Sequence, residues 1–312
     1  MKVCYDIKDL DSSFVDKPVV TLGTFDGVHL GHQAIIRRLV AKAGEKGKKS
    51  LLVTYEPHPQ SVVAPESAPG ILTTLEEKLF LLSKLDLDGT LVVSFDQRLA
   101  QYEAQPFVEE ILVKRLNVGD LIIGYDHAFG KNRAGRAELL EKVRKTYGFG
   151  LEVISPVKND HLAIKSSRVR EELKQGDFHK AIKMLGHSFP IWGTKVPGQG
   201  LGADMGYPTI NLDVSSRKLL PSDGVYAAQA EIEGKTWPGM MYKGRKPTFA
   251  GSDFSLEVHL FDFDPSLGAN QIRLFAEKWI RGDKKFESSE ALKKQIKQDE
   301  EIIRDYFSKK GG

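Results

Sequence analysis

Hydrophobic and polar positions follow two different rhythms along this chain. Up to about residue 186, short apolar runs that predict strands alternate with segments whose apolar positions recur at helical spacing. The predicted strands cover 19–22, 50–54, 89–93, 120–123 and 151–154, and the predicted helices cover 33–43, 74–85, 106–116 and 136–147. This alternation is typical of an α/β fold with a parallel sheet covered by helices, and we expect it to form one domain over residues 1–186.

After about residue 186 the pattern changes to short alternating strands interrupted by glycine and proline. The predicted strands cover 194–196, 209–212, 225–232, 239–241, 256–263 and 271–275. Many short strands separated by turn signals indicate a small antiparallel β-barrel. A closing helix over 290–307 carries an apolar stripe that would pack against the side of the barrel, so we expect a second domain over residues 187–312.

The most informative segment is 23–32, where the first predicted strand gives way to the first helix. His29 and His32 stand at positions i and i+3, so both project from one face of the first helical turn, beside its unpaired N–H groups. That arrangement suits a phosphate group. Gly31 costs about 1 kcal/mol relative to alanine inside a helix, and its missing side chain would leave room for a flat ring or a ribose between the histidines.

A simpler interpretation of the same segment stays open. Asp26 could serve only as the helix N-cap, and each histidine could merely end the apolar stripe of the helix. Two histidines that flank a glycine directly after a strand favour a phosphate site over this alternative. The spacing does not match the helical zinc motif, which places histidines at i and i+4 with a glutamate.

Other loops follow strands at the same edge of the predicted sheet, where open α/β sheets bind their ligands. Residues 54–59 follow the second strand and residues 124–135 follow the fourth. Ser166 and Ser167 precede a short predicted helix over 168–174 that carries Arg170 in its first turn, and this start could hold phosphate. Serine caps are common, so this last segment is weak evidence by itself.

The second domain has its own candidate residues. The glycine-rich loop from Gly198 to Gly202 is of a kind that approaches phosphates closely. Thr209 and Asn211 occupy alternate positions on a strand, so their oxygen atoms share one face and could ligate Mg²⁺. Glu257 lies opposite an apolar strand face and is either a general base for a hydroxyl group or a solvent-facing glutamate.

Charge and cysteine content narrow the class of protein. Lysine and arginine total 45 against 42 acidic residues, which leaves a formal net charge of +3. We therefore expect small-molecule substrates, with no nucleic acid and no membrane as partner. The single cysteine, Cys4, excludes an intramolecular disulfide, and the chain shows neither a signal peptide nor an apolar run of about 20 residues. These features predict a cytoplasmic protein.

These motifs together resemble those of the bacterial bifunctional riboflavin kinase and FMN adenylyltransferase family, also called FAD synthetase, over nearly the whole chain. Residues 23–33 resemble the adenylyltransferase signature of the Rossmann-like H-x-G-H nucleotidyltransferases. Residues 124–130 are similar to the family's G-x-D-F-x-F-G loop, with His127 in place of the usual phenylalanine. Residues 164–170 resemble I-S-S-T-x-x-R, with Lys165 for the first serine.

The resemblance implies that the first domain transfers AMP from ATP to the phosphate of FMN, which yields FAD and pyrophosphate. His29 and His32 would grip the ATP phosphates, with Mg²⁺ bridging oxygen atoms. Arg170 would hold the leaving pyrophosphate together with the two serines of the helix start. The implied binding residues are, for the nucleotide, Gly23, Phe25, Asp26 and Gly31, for the flavin, Asp126, and for pyrophosphate, Ser166 and Ser167.

The second domain resembles the riboflavin kinase module, which in the family is a six-stranded barrel that converts riboflavin and ATP to FMN and ADP. Four segments carry this likeness, namely 206–211, 221–226, 256–259 and 280–281. The resemblance implies that Thr209 and Asn211 hold Mg²⁺ and that Glu257 is the base. It further implies that Gly198 and Gly202 approach the phosphates and that Arg281 belongs to a binding pair.

The chain departs from the family pattern around the glycine loop. It has Gln199, Leu201 and Ala203 where the family has a basic residue in the loop and an arginine after its last glycine, and Tyr242 replaces a smaller polar residue. Each lost charge-assisted bond would weaken ATP binding by about 1.5–3 kcal/mol. Two alternatives therefore stay open, a monofunctional adenylyltransferase with a flavin-binding or structural barrel and a non-enzymatic flavin-binding regulator. A weak homo-oligomer is also compatible with the sequence.

Overall fold

A computed structural model describes residues 1–198, 201–244, 255–264 and 270–311 of the chain. It divides into two compact units, Met1–Ser166 and Ser167–Gly312. The domain boundary expected between residues 186 and 187 stays a prediction. Among the described residues, no helix combines the length and the apolar character needed to cross a bilayer.

The first unit contains a six-stranded sheet in which every neighbouring pair is parallel. Its strands are β1 (Lys2–Cys4), β2 (Val19–Leu22), β3 (Ser50–Glu56), β4 (Gly89–Ser94), β5 (Asp120–Gly124) and β6 (Gly150–Ile154), in the order β1-β4-β3-β2-β5-β6. The predicted α/β fold is confirmed. Only the edge strand β1 was not predicted, because it is three residues long and follows no periodic pattern.

Helices cover both faces of this sheet. They are α1 (Leu30–Lys46), α2 (Pro59–Val63), α3 (Leu75–Ser83), α4 (Gln97–Ala100), α5 (Ala104–Phe107) with a π-helical continuation over Val108–Arg115, and α6 (Ala137–Tyr147). Alternate strand residues join two separate core clusters. Val19 and Leu52 pack with α1 and α3, whereas Val20 and Leu51 pack with the π-helix and α6. A short hairpin, β7 (Lys158–Asn159) with β8 (Leu162–Ala163), ends the unit.

The second unit is a closed antiparallel barrel with flanking helices. Helix α7 (Ser166–Gln175) begins at the division between the units, and α8 (Phe178–Leu185) follows. The barrel strands are β9 (Phe189–Val196), β10 (Ile210–Asp213), β11 (Gly224–Ile232), β12 (Lys235–Gly244), β13 (Ser255–Leu260) and β14 (Gln271–Gly282), in the closed order β10-β13-β12-β11-β14-β9. Helix α9 (Leu201–Asp204) links β9 to β10, and α10 (Ser289–Gly311) closes the unit.

The closing helix packs as its apolar stripe predicts. Ile303 of α10 is buried against Val225 and Ala227 of β11, and Ile296 and Phe307 pack against the same cluster. The barrel and its C-terminal helix are thus confirmed. Strand β13 ends at Leu260, earlier than predicted, and β14 runs on to Gly282, well beyond the predicted end at residue 275.

Candidate active sites

The two histidines meet at the start of α1. His29 is the N-cap of this helix, and its Nδ1 accepts a hydrogen bond of 3.3 Å from the backbone N–H of His32. The alternative in which Asp26 caps the helix is therefore wrong. The two imidazole rings stack with their centroids 3.6 Å apart and their planes 18° apart. His29 is buried and His32 is half-buried.

Gly31 allows this stacking. A Cβ atom at Gly31 would lie 3.1 Å from Cε1 of His29 and 3.4 Å from the carbonyl oxygen of Ile164. From the sequence, a flat ring or a ribose is expected to lie against Gly31. The His29 imidazole occupies the space directly over the Gly31 Cα atom instead. Gly31 nevertheless lines the adjoining cavity.

Asp26 holds the loop that precedes α1. Its buried carboxylate accepts hydrogen bonds of 2.9 Å from the backbone N–H groups of Leu72 and Thr73 and one of 3.2 Å from the Thr73 hydroxyl. The same hydroxyl oxygen accepts a bond of 3.0 Å from the N–H of Gly27. Asp26 therefore anchors the loop to the segment before α3. Sequence reasoning missed these partners because they lie 46 and 47 residues away with no periodic signal.

Two residues of this loop adopt the left-handed backbone region. Phe25 has φ of +49° and the β-branched Val28 has φ of +39°, although neither is glycine. Such conformations cost about 1–3 kcal/mol each and persist only where the surroundings enforce them. Phe25 is buried in the core, with its ring edge against His32 at a centroid distance of 5.1 Å. A Cβ atom at Gly23 would lie 3.2 Å from this ring, so Gly23 leaves room for Phe25.

A buried lysine of α3 is hydrogen-bonded to the backbone of this loop. Nζ of Lys78 donates hydrogen bonds to Oγ1 of Thr54 at 3.0 Å, to the carbonyl oxygen of Thr24 at 3.2 Å and to that of Tyr55 at 3.4 Å. Burial lowers the pKa of Lys78, and the carboxylates of Glu56 and Asp26 oppose this shift. The ammonium group thus fixes the Thr24 carbonyl. Sequence reasoning missed Lys78 because a lysine on a helix usually faces solvent.

A cavity of about 160 Å³ lies beside the histidine pair. His29, Gly31 and His32 line it together with Asp126 and Ser166, so the structure brings these five predicted residues together. The Ser166 hydroxyl also donates a hydrogen bond of 2.9 Å to the carbonyl oxygen of Asp26, which ties the end of the unit to the loop before α1.

Asp126 forms an ion pair at this cavity. Its Oδ2 lies 3.0 Å from Nζ of Lys165, and that ammonium group lies 5.3 Å from the centroid of the Tyr125 ring. The hydrogen bond with Asp126 raises the pKa of Lys165 above its ordinary value. All three residues line the cavity.

The remaining motif residues lie in different surroundings. The ring of His127 lies nearly parallel to that of Phe129 at a centroid distance of 5.6 Å. Burial and, to a smaller extent, the charge of Arg133 lower the pKa of His127 to about 4, against the opposing effect of Asp126. Ser167 and Arg170 lie on α7 in the second unit, where the Arg170 side chain is buried.

A second constellation forms on the outer face of the barrel. Asn211 of β10 and Glu257 of β13 are directly paired across neighbouring strands, so their side chains share one face. The Thr209 hydroxyl donates a hydrogen bond of 3.3 Å to Oε2 of Glu257, and the Ser255 hydroxyl donates one of 2.7 Å to Oε1. The structure thus brings Thr209, Asn211 and Glu257 together.

The glycines before β10 approach this constellation closely. A side chain at Gly198 would overlap that of Asn211, and one at Gly202 would overlap the carbonyl oxygen of Tyr207 beside Thr209. Gln199 lies outside the described residues, as does the side chain of Leu201. Ala203 is exposed on α9.

Tyr242 and Arg281 are both engaged by neighbouring carboxylates. Tyr242 is paired with Glu257 across β12 and β13, and its hydroxyl donates a bond of 3.1 Å to Asp283. Burial raises the pKa of Tyr242 to about 12, and Asp283 adds to the shift. The Arg281 guanidinium pairs with the buried Asp299 of α10 at 2.8 Å. Arg281 therefore fixes α10 to the barrel, and its predicted binding role stays a prediction.

Comparison with known proteins identifies the family of the chain. The family model for FAD synthetase matches residues 12–168, and that for riboflavin kinase matches residues 185–307. A bifunctional riboflavin kinase/FMN adenylyltransferase from Escherichia coli K12 is 37% identical over 308 residues, which cover 98% of both chains. The chain belongs to the bifunctional riboflavin kinase/FMN adenylyltransferase family.

Other members of the family are similar over most of their length. The bifunctional riboflavin kinase/FMN adenylyltransferase of Pseudomonas fluorescens is 38% identical over 282 residues, which cover 90% of both chains. Among solved structures, a macrolide-efflux protein from Streptococcus pneumoniae matches 97% of this chain and 98% of its own, with 28% identity and a TM-score of 0.84. The family and both of its modules therefore extend over nearly the whole chain.

Proposed function

We propose that this chain produces FAD from riboflavin in two reactions. At the barrel, riboflavin and ATP give FMN and ADP. At the cavity of the first unit, FMN and a second ATP give FAD and pyrophosphate. The observation that carries the proposal is the stacked His29 and His32 pair at the start of α1, in one cavity with Asp126 and Ser166. Macrolide efflux is not proposed, because the family models and the curated relatives name flavin chemistry.

In the adenylyl transfer, a phosphate oxygen of FMN attacks the α-phosphorus of ATP. A new P–O bond forms while the bond to the pyrophosphate oxygen breaks, so negative charge grows on the α-phosphate and on the leaving group. His29, His32 and the N–H groups that begin α1 oppose this charge. The pyrophosphate-binding role that the resemblance implies for Ser167 and Arg170 stays a prediction. The chain contributes position and charge, and no covalent intermediate is required.

In the kinase reaction, the 5′-hydroxyl of riboflavin attacks the γ-phosphorus of ATP, and ADP leaves. Glu257 would accept the proton of that hydroxyl, and the hydrogen bonds from Thr209 and Ser255 hold its carboxylate in place. Thr209 and Asn211 offer the oxygen ligands that suit Mg²⁺, which when bound would neutralise phosphate charge. Because Gly198 and Gly202 have no side chains, the backbone at these positions lies close to Asn211 and Thr209 without a clash.

Of the departures from the family pattern, the two whose side chains are described, Ala203 and Tyr242, leave the contacts of Glu257 in place. Ala203 supplies no charge and is exposed, but the contacts of Glu257 are intact. The hydrogen bond from the Tyr242 hydroxyl to Asp283 holds the Tyr242 ring in one orientation. These observations support an active kinase module with weaker binding of the ATP phosphates.

One experiment separates the proposal from its alternatives. The purified chain is incubated with ATP and Mg²⁺ and either riboflavin or FMN, and the flavins are separated by chromatography. We expect riboflavin to be converted through FMN to FAD. Conversion of FMN alone would identify a monofunctional adenylyltransferase, and conversion of neither would indicate a flavin-binding regulator. Cytoplasmic location and a weak homo-oligomer stay predictions.

A further inference from the structure

Few charged side chains line the cavity of the first unit. Among the described residues that line it, Lys165 is the only lysine or arginine and Asp126 is the only carboxylate. Both proposed substrates of this cavity are anionic. In the proposed function the histidine pair and the start of α1 bind the triphosphate of ATP, so a second anion that enters the cavity needs a cation of its own.

The ion pair between Lys165 and Asp126 is suited to exchange its partners. The two side chains are 46% and 49% exposed. Ion pairs at this exposure contribute little to folding stability, because water screens them and two side chains must be held in one geometry. The ammonium group can therefore leave the carboxylate for a more highly charged anion at little cost.

The backbone around Lys165 is held at the histidine site. The carbonyl oxygen of Ile164 packs over Gly31. The Ile164 N–H donates a hydrogen bond of 2.9 Å to the carbonyl oxygen of Val157. On the other side, the Ser166 hydroxyl is bound to the carbonyl oxygen of Asp26 at 2.9 Å. With both neighbours fixed, the Lys165 side chain can turn but its origin stays beside the reacting phosphates.

The neighbour of Lys165 offers a surface for a flat ring system beside the ammonium group. The Tyr125 ring lies 5.3 Å from the ammonium group, is 41% exposed and lines the same cavity. An exposed aromatic ring offers a stacking surface for a flat ring system. A molecule that combines such a ring system with a phosphate monoester therefore fits both residues.

We propose that Lys165 releases Asp126 and binds the phosphate of FMN, and that it thereby positions the attacking oxygen beside the α-phosphate of ATP. Asp126 keeps the ammonium group at the cavity until that phosphate arrives. This assignment rests on the proposed adenylyl transfer and makes Lys165 a determinant of specificity for a phosphorylated acceptor.

The test measures steady-state FAD formation with FMN varied at saturating ATP and with ATP varied at saturating FMN. The variants are Lys165→Gln, which removes the charge, and Lys165→Arg, which keeps it. Lys158→Gln is the matched control, because Lys158 is an exposed lysine of the same unit that does not line the cavity.

For Lys165→Gln we expect the KM for FMN to rise about ten- to a hundredfold while the KM for ATP changes less than about threefold. Lys165→Arg should recover most of the loss, and Lys158→Gln should behave like the unaltered chain. A rise in the KM for ATP alone, or unchanged constants for FMN, would overturn the assignment. Failure of the unaltered chain to form FAD would instead refute the proposed function itself.

Discussion

His127 should make the stability of the first unit depend on pH. Its imidazole stands where the family pattern has phenylalanine, and its buried Nε2 atom has no hydrogen-bond partner among the described residues. Burial and the charge of Arg133 lower its pKa to about 4, and Asp126 opposes this only in part. The folded chain therefore keeps His127 neutral under conditions where the unfolded chain protonates it.

The magnitude follows from the two pKa values. An unperturbed histidine has a pKa of about 6.5, so between about pH 6.5 and pH 4 the unfolded state binds a proton that the folded state does not. Stability therefore falls as the pH falls through this window. With a folded pKa of about 4, the loss between pH 7.5 and pH 5 is about 2 kcal/mol.

The assay is urea-induced unfolding, followed by circular dichroism at pH 7.5 and at pH 5. His127→Phe removes the titrating group, and we expect this variant to lose about 2 kcal/mol less than the unaltered chain over the same interval. His161→Asn is the control, because His161 is exposed and its left-handed backbone, with φ of +64°, accommodates asparagine. Equal losses for His127→Phe and the unaltered chain would refute the reasoning.

Two further variants test the two sites, and a third variant with its control tests the support of the loop before α1. His29→Ala should reduce FAD formation from FMN by about 10²–10³-fold and leave riboflavin phosphorylation unchanged, as measured by chromatography of the flavins. Glu257→Gln should reduce riboflavin phosphorylation by about 10²–10⁴-fold and leave FAD formation from FMN unchanged. Lys78→Met leaves the Thr24 carbonyl without its buried ammonium donor, so it should lower the free energy of unfolding by about 1–3 kcal/mol in urea titrations, whereas exposed Lys84→Met should change it little.

Periodic patterns were sufficient to predict most of the fold. The strands that flank the sites, β2 and β5, lie where their apolar runs predict them, because strands buried in a parallel sheet need continuous apolar sequence. The histidine pair could also be predicted, because the strand and the helix that position it are adjacent in sequence.

Contacts between distant segments could not be predicted in this way. The bonds from Leu72 and Thr73 to Asp26, and those of Lys78 to the loop, depend on how α3 packs on the sheet. Nothing in the local sequence distinguishes Lys78 from a solvent-facing lysine. The same holds for Arg281, whose pairing with Asp299 depends on the position of α10.

If ATP binds as we propose, the loop between β2 and α1 affects how tightly it binds. Asp26, Lys78 and Ser166 already fix it through buried and partly buried hydrogen bonds, although Phe25 and Val28 are held in unfavourable backbone conformations. A flexible loop would lose conformational entropy when the nucleotide arrives, at about 1–2 kcal/mol for each residue that becomes ordered. Here that ordering takes place when the chain folds, so the site is preorganised and ATP affinity is not reduced by the ordering of the loop.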